Sequence, residues 1–397
     1  MDVFSRLVGQ DAVSAELTQA ATAARRGSAA GSAMTHSWLF TGPPGSGRSI
    51  AALTFAAALE CIGDVVGCGE CSACRTTLAG THGDVRRIIP QGLSISISEV
   101  RDMINIASRR PTTGRWQIVI VEDADRLSES AANALLKMVE EPPERTVILL
   151  CAPTDDPEDF SVTLRSRCRH VHLATPTPVA ITKVLVEVDG IDPPTAQWAA
   201  SVSGGHVGRA RRLATDEQAR ERRREALKMA SAAQRPASAY SAAAELDKFA
   251  VADGKKVADA LNQREIDELE VAMGAGGTGK GAAAATRGIK GALAELEKRQ
   301  KSRETRTIRD TYDRALIDLA GLYRDALARS FGAATTPTHP DFGDDARRLA
   351  EVAPERLLEC LEAILQCREA LATNVKPKFA LAALVASIGA STRTESS

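Results

Sequence analysis

Two stretches of this 397-residue chain carry residue types at spacings that could do chemistry. The first is TGPPGSGRS at 41–49. From Gly42 to Ser49 it fits the phosphate-binding pattern G-x-x-x-x-G-K-[ST], except that Arg48 stands where the pattern has lysine. In such a loop, backbone N–H groups and a helix N-terminus cradle anionic oxygens. Gly42, Gly45 and Gly47 supply the tight backbone, and Ser49 supplies the hydroxyl that would ligate Mg2+ with bound ATP or ADP. Arg48 keeps the positive charge but exchanges a compact ammonium for a planar fork. The loop is therefore expected to hold an anion but to place charge poorly at a transferring phosphoryl group. The second stretch is CIGDVVGCGECSAC, with Cys61, Cys68, Cys71 and Cys74 spaced C-x6-C-x2-C-x2-C. Four thiols at short spacing, with glycines between them, suit a closed, tetrahedral structural Zn2+ site.

A phosphate loop needs an acidic partner on a neighbouring strand, and QIVIVEDADRL at 117–127 supplies one. A hydrolytic site has an Asp for Mg2+ followed by a Glu that orients water. Here Glu122 precedes Asp123, so one side chain is a methylene too long and the other a methylene too short. Misplacement of about 1 Å can cost on the order of a hundredfold in rate. Together Arg48, Glu122 and Asp123 point to impaired hydrolysis. A second string, GAGGTGKG at 274–281, has its lysine, Lys280, but follows the helix-like REIDELEVAM and puts Gly281 where a hydroxyl is needed. It reads as a flexible linker.

The elements that must position these residues are visible as apolar periodicity. Candidate strands are WLFT (38–41), VRRII (85–89), QIVIVE (117–122), TVILLC (146–151) and HVHL (170–173), with helices near 98–109 and 128–141. Strands alternating with helices predict a parallel sheet in an α/β domain ending near residue 175. Beyond it the chain reads as helical, with a small unit closed by the basic ARERRREALK. Arg220, Arg223 and Arg224 share one face of that helix. Glu217 and Glu221 stand three residues before Arg220 and Arg224, so a solvated, self-paired face is expected.

Lys+Arg total 50 and Asp+Glu 51, so no global field draws the chain to nucleic acid. The N-terminal MDVFSRLVGQD has no apolar signal core, and no run approaches the roughly 18 apolar residues of a membrane span. A cytoplasmic protein with no membrane partner is the expectation. In that reducing compartment, eight cysteines do not make a disulfide framework. Cys151, Cys168, Cys360 and Cys367 sit in apolar or helical contexts and read as small core residues.

In combination, these motifs resemble the clamp-loader branch of the AAA+ ATPases, machines that place sliding clamps on primed DNA. The resemblance runs through the first 213 residues. VGQ (8–10), which includes Val8, is similar to the segment flanking the adenine. HSWLFTGPPGSGRS is similar to the strand and loop, and SISEVRDM and SAANALLKMVEEPP (130–143) to the two central helices. Thr154 in APTDDP matches the sensor-1 position, and TLRSRC (163–168) contains the Ser-Arg-Cys motif. In that motif the arginine, here Arg167, reaches the ATP of a neighbouring subunit. In SGGHVGRARRL (203–213), Gly208 occupies the register of the sensor-2 arginine.

The resemblance implies a fold and a set of partners. The fold would be an AAA+ RecA-like domain over 1–175 with the zinc insert at 61–74. A helical lid would follow over 176–235, then an all-α collar over 236–389 with a flexible 274–288 linker, and a disordered tail over 390–397. Loss of the loop lysine and Asp-Glu pair, with Arg167 kept, is similar to the non-motor stator class, delta-prime, of the bacterial DNA polymerase III holoenzyme. Its partners would be gamma/tau-like ATPase subunits and a delta subunit in a hetero-pentamer, with the sliding clamp and primer-template DNA reached through the complex. ATPase activity of its own would be weak or nil. Two other readings remain open at this stage: an active gamma/tau-like motor, and a zinc-containing DNA-binding protein. Against the last, the cluster has few aromatics and only Arg75 close by as a cation.

Overall fold

The computed structural model describes residues 2–26, 33–90, 94–233, 236–272, 282–373 and 375–392. The GAGGTGKG string lies outside the described residues. The chain divides into two compact units, Met1–Ala214 and Thr215–Ser397.

The first unit is built on five strands: β1 (Ser37–Thr41), β2 (Val85–Ile88), β3 (Gln117–Val121), β4 (Thr146–Ala152) and β5 (Arg169–His172). All pair in parallel, in the order β2-β3-β4-β1-β5. Six helices accompany them: α1 (Asp11–Arg26), α2 (Arg48–Glu60), α3 (Ser72–Leu78), α4 (Ile97–Ala107), α5 (Glu129–Glu140) and the short α6 (Val162–Arg165). After β5 come α7 (Pro178–Glu187), α8 (Pro193–Ser201) and α9 (Val207–Thr215).

β1, β3 and β4 are buried along their whole length, which is why they read as continuous apolar runs rather than as an alternation. Their side chains still alternate between faces. Trp38, Phe40, Ile118, Ile120, Val147 and Leu149 join one core with Leu17 of α1 and Phe55 of α2. Leu39, Val119, Val121, Ile148 and Leu150 join another with Val100 of α4 and Leu135 of α5. Local sequence sets the helix starts. Ser96 and Glu99 form a reciprocal capping box at α4, and Ser128 accepts from the Ala131 N–H at α5.

Two buried carboxylates fasten the segment that leads into β3. Asp84 accepts from the N–H groups of Thr112, Thr113 and Gly114 and from both threonine hydroxyls. Those bonds outweigh the effect of burial and hold its carboxyl well below the usual range. Glu60 accepts from the Arg115 and Trp116 N–H groups, yet burial pushes it up to about 7.

Among the described residues, the α-helices of the second unit are α10 (Glu217–Ala232), α11 (Pro236–Ala272), α12 (Ala282–Ser330), α13 (Gly343–Leu349), α14 (Pro354–Ala372) and α15 (Pro377–Thr392). At 1.5 Å per residue, α11 and α12 run about 55 and 74 Å. One apolar core joins the six through residues such as Leu227, Leu246, Tyr323, Leu349, Leu357 and Leu381. The expected lid segment 176–235 is thus divided, its last helix, α10, packing with the helices that follow it. Of the expected linker 274–288, the described residues 282–288 open α12. Of the expected tail, 390–392 close α15 and the rest lies outside the described residues.

The expectation of a solvated α10 face holds for Arg220 and Arg224, which pair with Glu217, and fails for Arg223. Arg223 is 4% exposed. It forks onto both carboxylate oxygens of Asp341 and donates to His339 Nδ1 at 2.8 Å. A guanidinium can only donate. His339 Nδ1 must therefore accept, and its Nε2 carries the proton donated to the Asp318 carbonyl at 2.8 Å. Burial, with Arg223 alongside, keeps the imidazole from charging. Spacing along α10 could not reveal a partner more than a hundred residues away. Replacing Arg223 by Met should lower the unfolding free energy by about 3 kcal/mol, because it strands a buried network. Arg224→Met should change it by less than about 0.5 kcal/mol. Urea denaturation followed by circular dichroism distinguishes the two.

Candidate nucleotide site and metal centre

Parallel strands put all their carboxyl ends on one edge of the sheet, where ligands of open α/β folds bind. The loop at 42–49 follows β1 there, Glu122 and Asp123 follow β3, and Thr154 follows β4. Gly42 and Gly45 have φ of 150° and 90°. A Cβ on Gly42 would stand 2.3 Å from the Leu173 carbonyl oxygen, and one on Gly45 would stand 2.6 Å from His206 Cα. Neither position admits a side chain. Gly47 precedes α2 as its N-cap, and the Ala51 N–H donates to its carbonyl at 2.8 Å. Gln10, two residues after half-buried Val8, donates through Nε2 to the carbonyls of Ser46 (3.3 Å) and Ala174 (2.6 Å), tying the loop to the end of β5.

The polar groups form two sets that adjoin through chain neighbours at 48/49 and 122/123. Arg48 folds back so that Nη1 donates to the Gly42 carbonyl, while its Nη2 lies 4.0 Å from Asp123 Oδ1. Ser49 Oγ donates to Glu122 Oε2 at 3.0 Å. The other oxygen of Glu122 is held by the guanidinium of Arg87 on β2, with Nε at 3.1 Å and Nη2 also bonded. Asp123 takes a left-handed backbone (φ 49°, ψ 52°), unusual for a non-glycine residue. That conformation ends β3 and places the carboxylate 4.0 Å from Arg126 as well as Arg48. Beside it, Asp125 is raised by burial and by the charge of Asp123. Thr154 spends its hydroxyl locally, accepting the Asp156 N–H at 3.1 Å. Gly208 lies in the first turn of α9.

Arg167 belongs to a separate place. It follows α6 and pairs through Nε with Glu140 Oε1 at 2.6 Å, at the end of α5. Both side chains are well exposed, at 38% and 44%. Arg87 and Gln10 were not singled out from the sequence. Gln10 had a signal, since it ends the VGQ string. Arg87 had none, being one charged residue of an edge strand whose partner lies 35 residues on.

The four cysteines converge. Their Sγ atoms all lie within 4.8 Å of one another, and Cys61 and Cys68 are 3.7 Å apart. A tetrahedral ZnS4 site with Zn–S of about 2.3 Å has S···S edges of about 3.8 Å, so the cluster fits that ion. The insert directs backbone donors at two of the sulfurs. The N–H groups of Cys71 and Cys74 donate to the sulfurs of Cys68 and Cys71, each at 3.4 Å, at the start of α3. For Cys71, burial is overcome by these backbone bonds and the thiol is brought down to about 6, whereas burial raises Cys74. Arg25 of α1 braces the turn by donating to the carbonyls of Cys61, Gly63 and Asp64. Purified chain should carry roughly one zinc by elemental analysis. Cys74→Ser should abolish it and lower the thermal midpoint, while Cys367→Ser, which alters only a buried helix residue, should retain the metal.

Known proteins resemble the first unit. The family described as "DNA polymerase III, delta subunit" matches residues 18–177. The chain is 30% identical over 197 residues to DNA polymerase III subunit delta′ of Bacillus subtilis, covering 49% of this chain and 59% of that protein. It is 37% identical over 149 residues to subunit delta′ of Pseudomonas aeruginosa, covering 36% and 44%. It is 32% identical over 155 residues to subunit tau/gamma of Haemophilus influenzae, covering 38% and 22%. The chain thus spans between 22% and 59% of the length of these relatives. Residues 18–177 are thus similar to the delta-subunit family of DNA polymerase III, and the relatives matched over this part of the chain carry both the delta′ and the tau/gamma names.

Proposed function

We propose that this chain is the stator of a bacterial clamp loader, a delta′-type subunit that supplies Arg167 to an adjacent ATPase and does not itself turn over ATP. The observation that carries this reading is the contrast between two arginines. Arg48 is folded into its own loop against Gly42 and Asp123, whereas Arg167 sits at the surface in an exposed pair with Glu140. Exposed pairs contribute about 0–1 kcal/mol, so exchanging Glu140 for a neighbour's phosphate costs little. The reward is greater, since guanidinium–phosphate bonds are charge-assisted and bidentate. The reversed Glu122–Asp123 order after β3 and the left-handed backbone of Asp123 support the same reading, since both depart from the Asp-then-Glu arrangement of a hydrolytic site.

The partners follow from this reading: gamma/tau-like motor subunits and a delta subunit in a hetero-pentamer. The sliding clamp and primer-template DNA would be met through that complex, in the cytoplasm. No described helix is long and apolar enough to cross a membrane. Zinc at Cys61, Cys68, Cys71 and Cys74 has a structural part. An active motor is the second reading, favoured by the tau/gamma relatives and by the retained Ser49–Glu122 pair.

DNA- and clamp-stimulated ATPase of the reconstituted complex separates the two. Arg167→Ala in this chain should lower turnover at the neighbouring site by at least about a thousandfold, the lower end of trans-arginine effects. Arg48→Ala should leave total turnover within about twofold. The reverse pattern would make this chain a motor.

A further inference from the structure

We infer that the loop at 42–49 takes a nucleoside diphosphate or triphosphate without a divalent cation, the guanidinium of Arg87 standing where the metal's charge would. This rests on reading the loop as an anion cradle, and it is independent of the role given to Arg167.

Ser49 and Glu122 are the protein groups through which Mg2+ would be held. Both are spent. The Ser49 hydroxyl gives its proton to Glu122 Oε2, and the other Glu122 oxygen is gripped by two nitrogens of Arg87. The Glu122 and Arg87 side chains are 14% and 31% exposed, so water screens their pairing less than it would at the surface. Mg2+ demands near-octahedral oxygens at 2.0–2.1 Å and sheds its waters reluctantly. Here it would have to displace a cation already seated on the carboxylate, and like charges a few ångströms apart repel strongly away from bulk water. The implied Mg2+ therefore does not fit the residues present.

The anion cradle does not depend on that metal. The α2 N-terminus and the Arg48 guanidinium face the loop, and a second, independent feature points to an acceptor there. Ser46 is 2% exposed, and its hydroxyl has no hydrogen-bond partner. That oxygen lies within the loop, 2.7 Å from where a Cβ on Gly42 would stand. A buried hydroxyl without an acceptor is disfavoured, and a phosphate oxygen at this position would satisfy it. The Arg87 fork thus does for Glu122 what a metal does elsewhere: it cancels the carboxylate's charge so that a second anion is tolerated nearby.

The test is a titration of the full chain with fluorescent mant-ADP, in buffer freed of divalent ions by chelating resin and in the same buffer with MgCl2. Free chelator is left out so that the cysteines keep their zinc. The expected result is a Kd that agrees within about twofold between the two buffers. Arg87→Ala, with zinc content and thermal midpoint confirming that it is folded, should bind at least about tenfold more weakly without Mg2+ and recover when Mg2+ is added. Arg87→Lys should retain most of the metal-free binding. Tightening of wild-type binding by tenfold or more on adding Mg2+ would overturn the inference. So would an Arg87→Ala variant that behaves as wild type in both buffers, or the absence of binding in either. None of these outcomes bears on Arg167, whose effect is read from turnover of the reconstituted complex.

Discussion

The chemistry of the first unit hangs on one constraint: strands that are covered on both faces and run in parallel must all finish on the same edge. The cores above and below β1, β3 and β4 bury nearly every side chain of those strands. The polar residues that follow them are thereby expelled together at the carboxyl ends. Gly42, Glu122, Asp123 and Thr154 are separated by up to 112 positions in sequence, yet they stand along one edge of the sheet because the hydrophobic effect has fixed where each strand stops. Asp84 and Glu60 do the corresponding work at the opposite end, where backbone N–H groups entering β3 would otherwise be left without acceptors.

Around that edge, the positive charge comes in guanidinium form. Arg48 stands in the lysine position, and Arg87 is gripped to the carboxylate that the metal would occupy. A fork held by two bonds has a fixed direction, whereas an ammonium or a hydrated metal can follow charge as it moves between atoms. Under the proposed function, a site made of forks would suit holding an anion better than transferring a phosphoryl group. Arg167, by contrast, lies apart from this set and pairs at the surface with Glu140.

The sequence made some of this legible and withheld the rest for definable reasons. The strands were readable because β-branched runs such as QIVIV bury on both sides, and the candidate metal cluster because its four cysteines lie within 14 residues. Helix starts were readable from Ser96 and Ser128, which act on N–H groups three residues away. Arg87, Arg223 and His339 were not readable, because each takes its meaning from a partner 35 to 118 residues distant. The division at 214/215 escaped for a similar reason: the basic composition of α10 conceals an apolar side, Ala226, Leu227 and Ala230, that belongs to the C-terminal core.

The two crowded glycines of the loop carry an evolutionary consequence. Gly42 is pressed against the Leu173 carbonyl and Gly45 against the backbone of His206, so any larger residue at either place would push apart the end of β5 or the segment entering α9. Purifying selection would keep both glycines on grounds of packing alone, even in a lineage that no longer met a nucleotide. In chains of this kind the glycine signature can outlive the chemistry it is taken to advertise. The side chains around the loop, above all those at positions 48, 87 and 122, are then the better historical record of whether phosphate was still being handled.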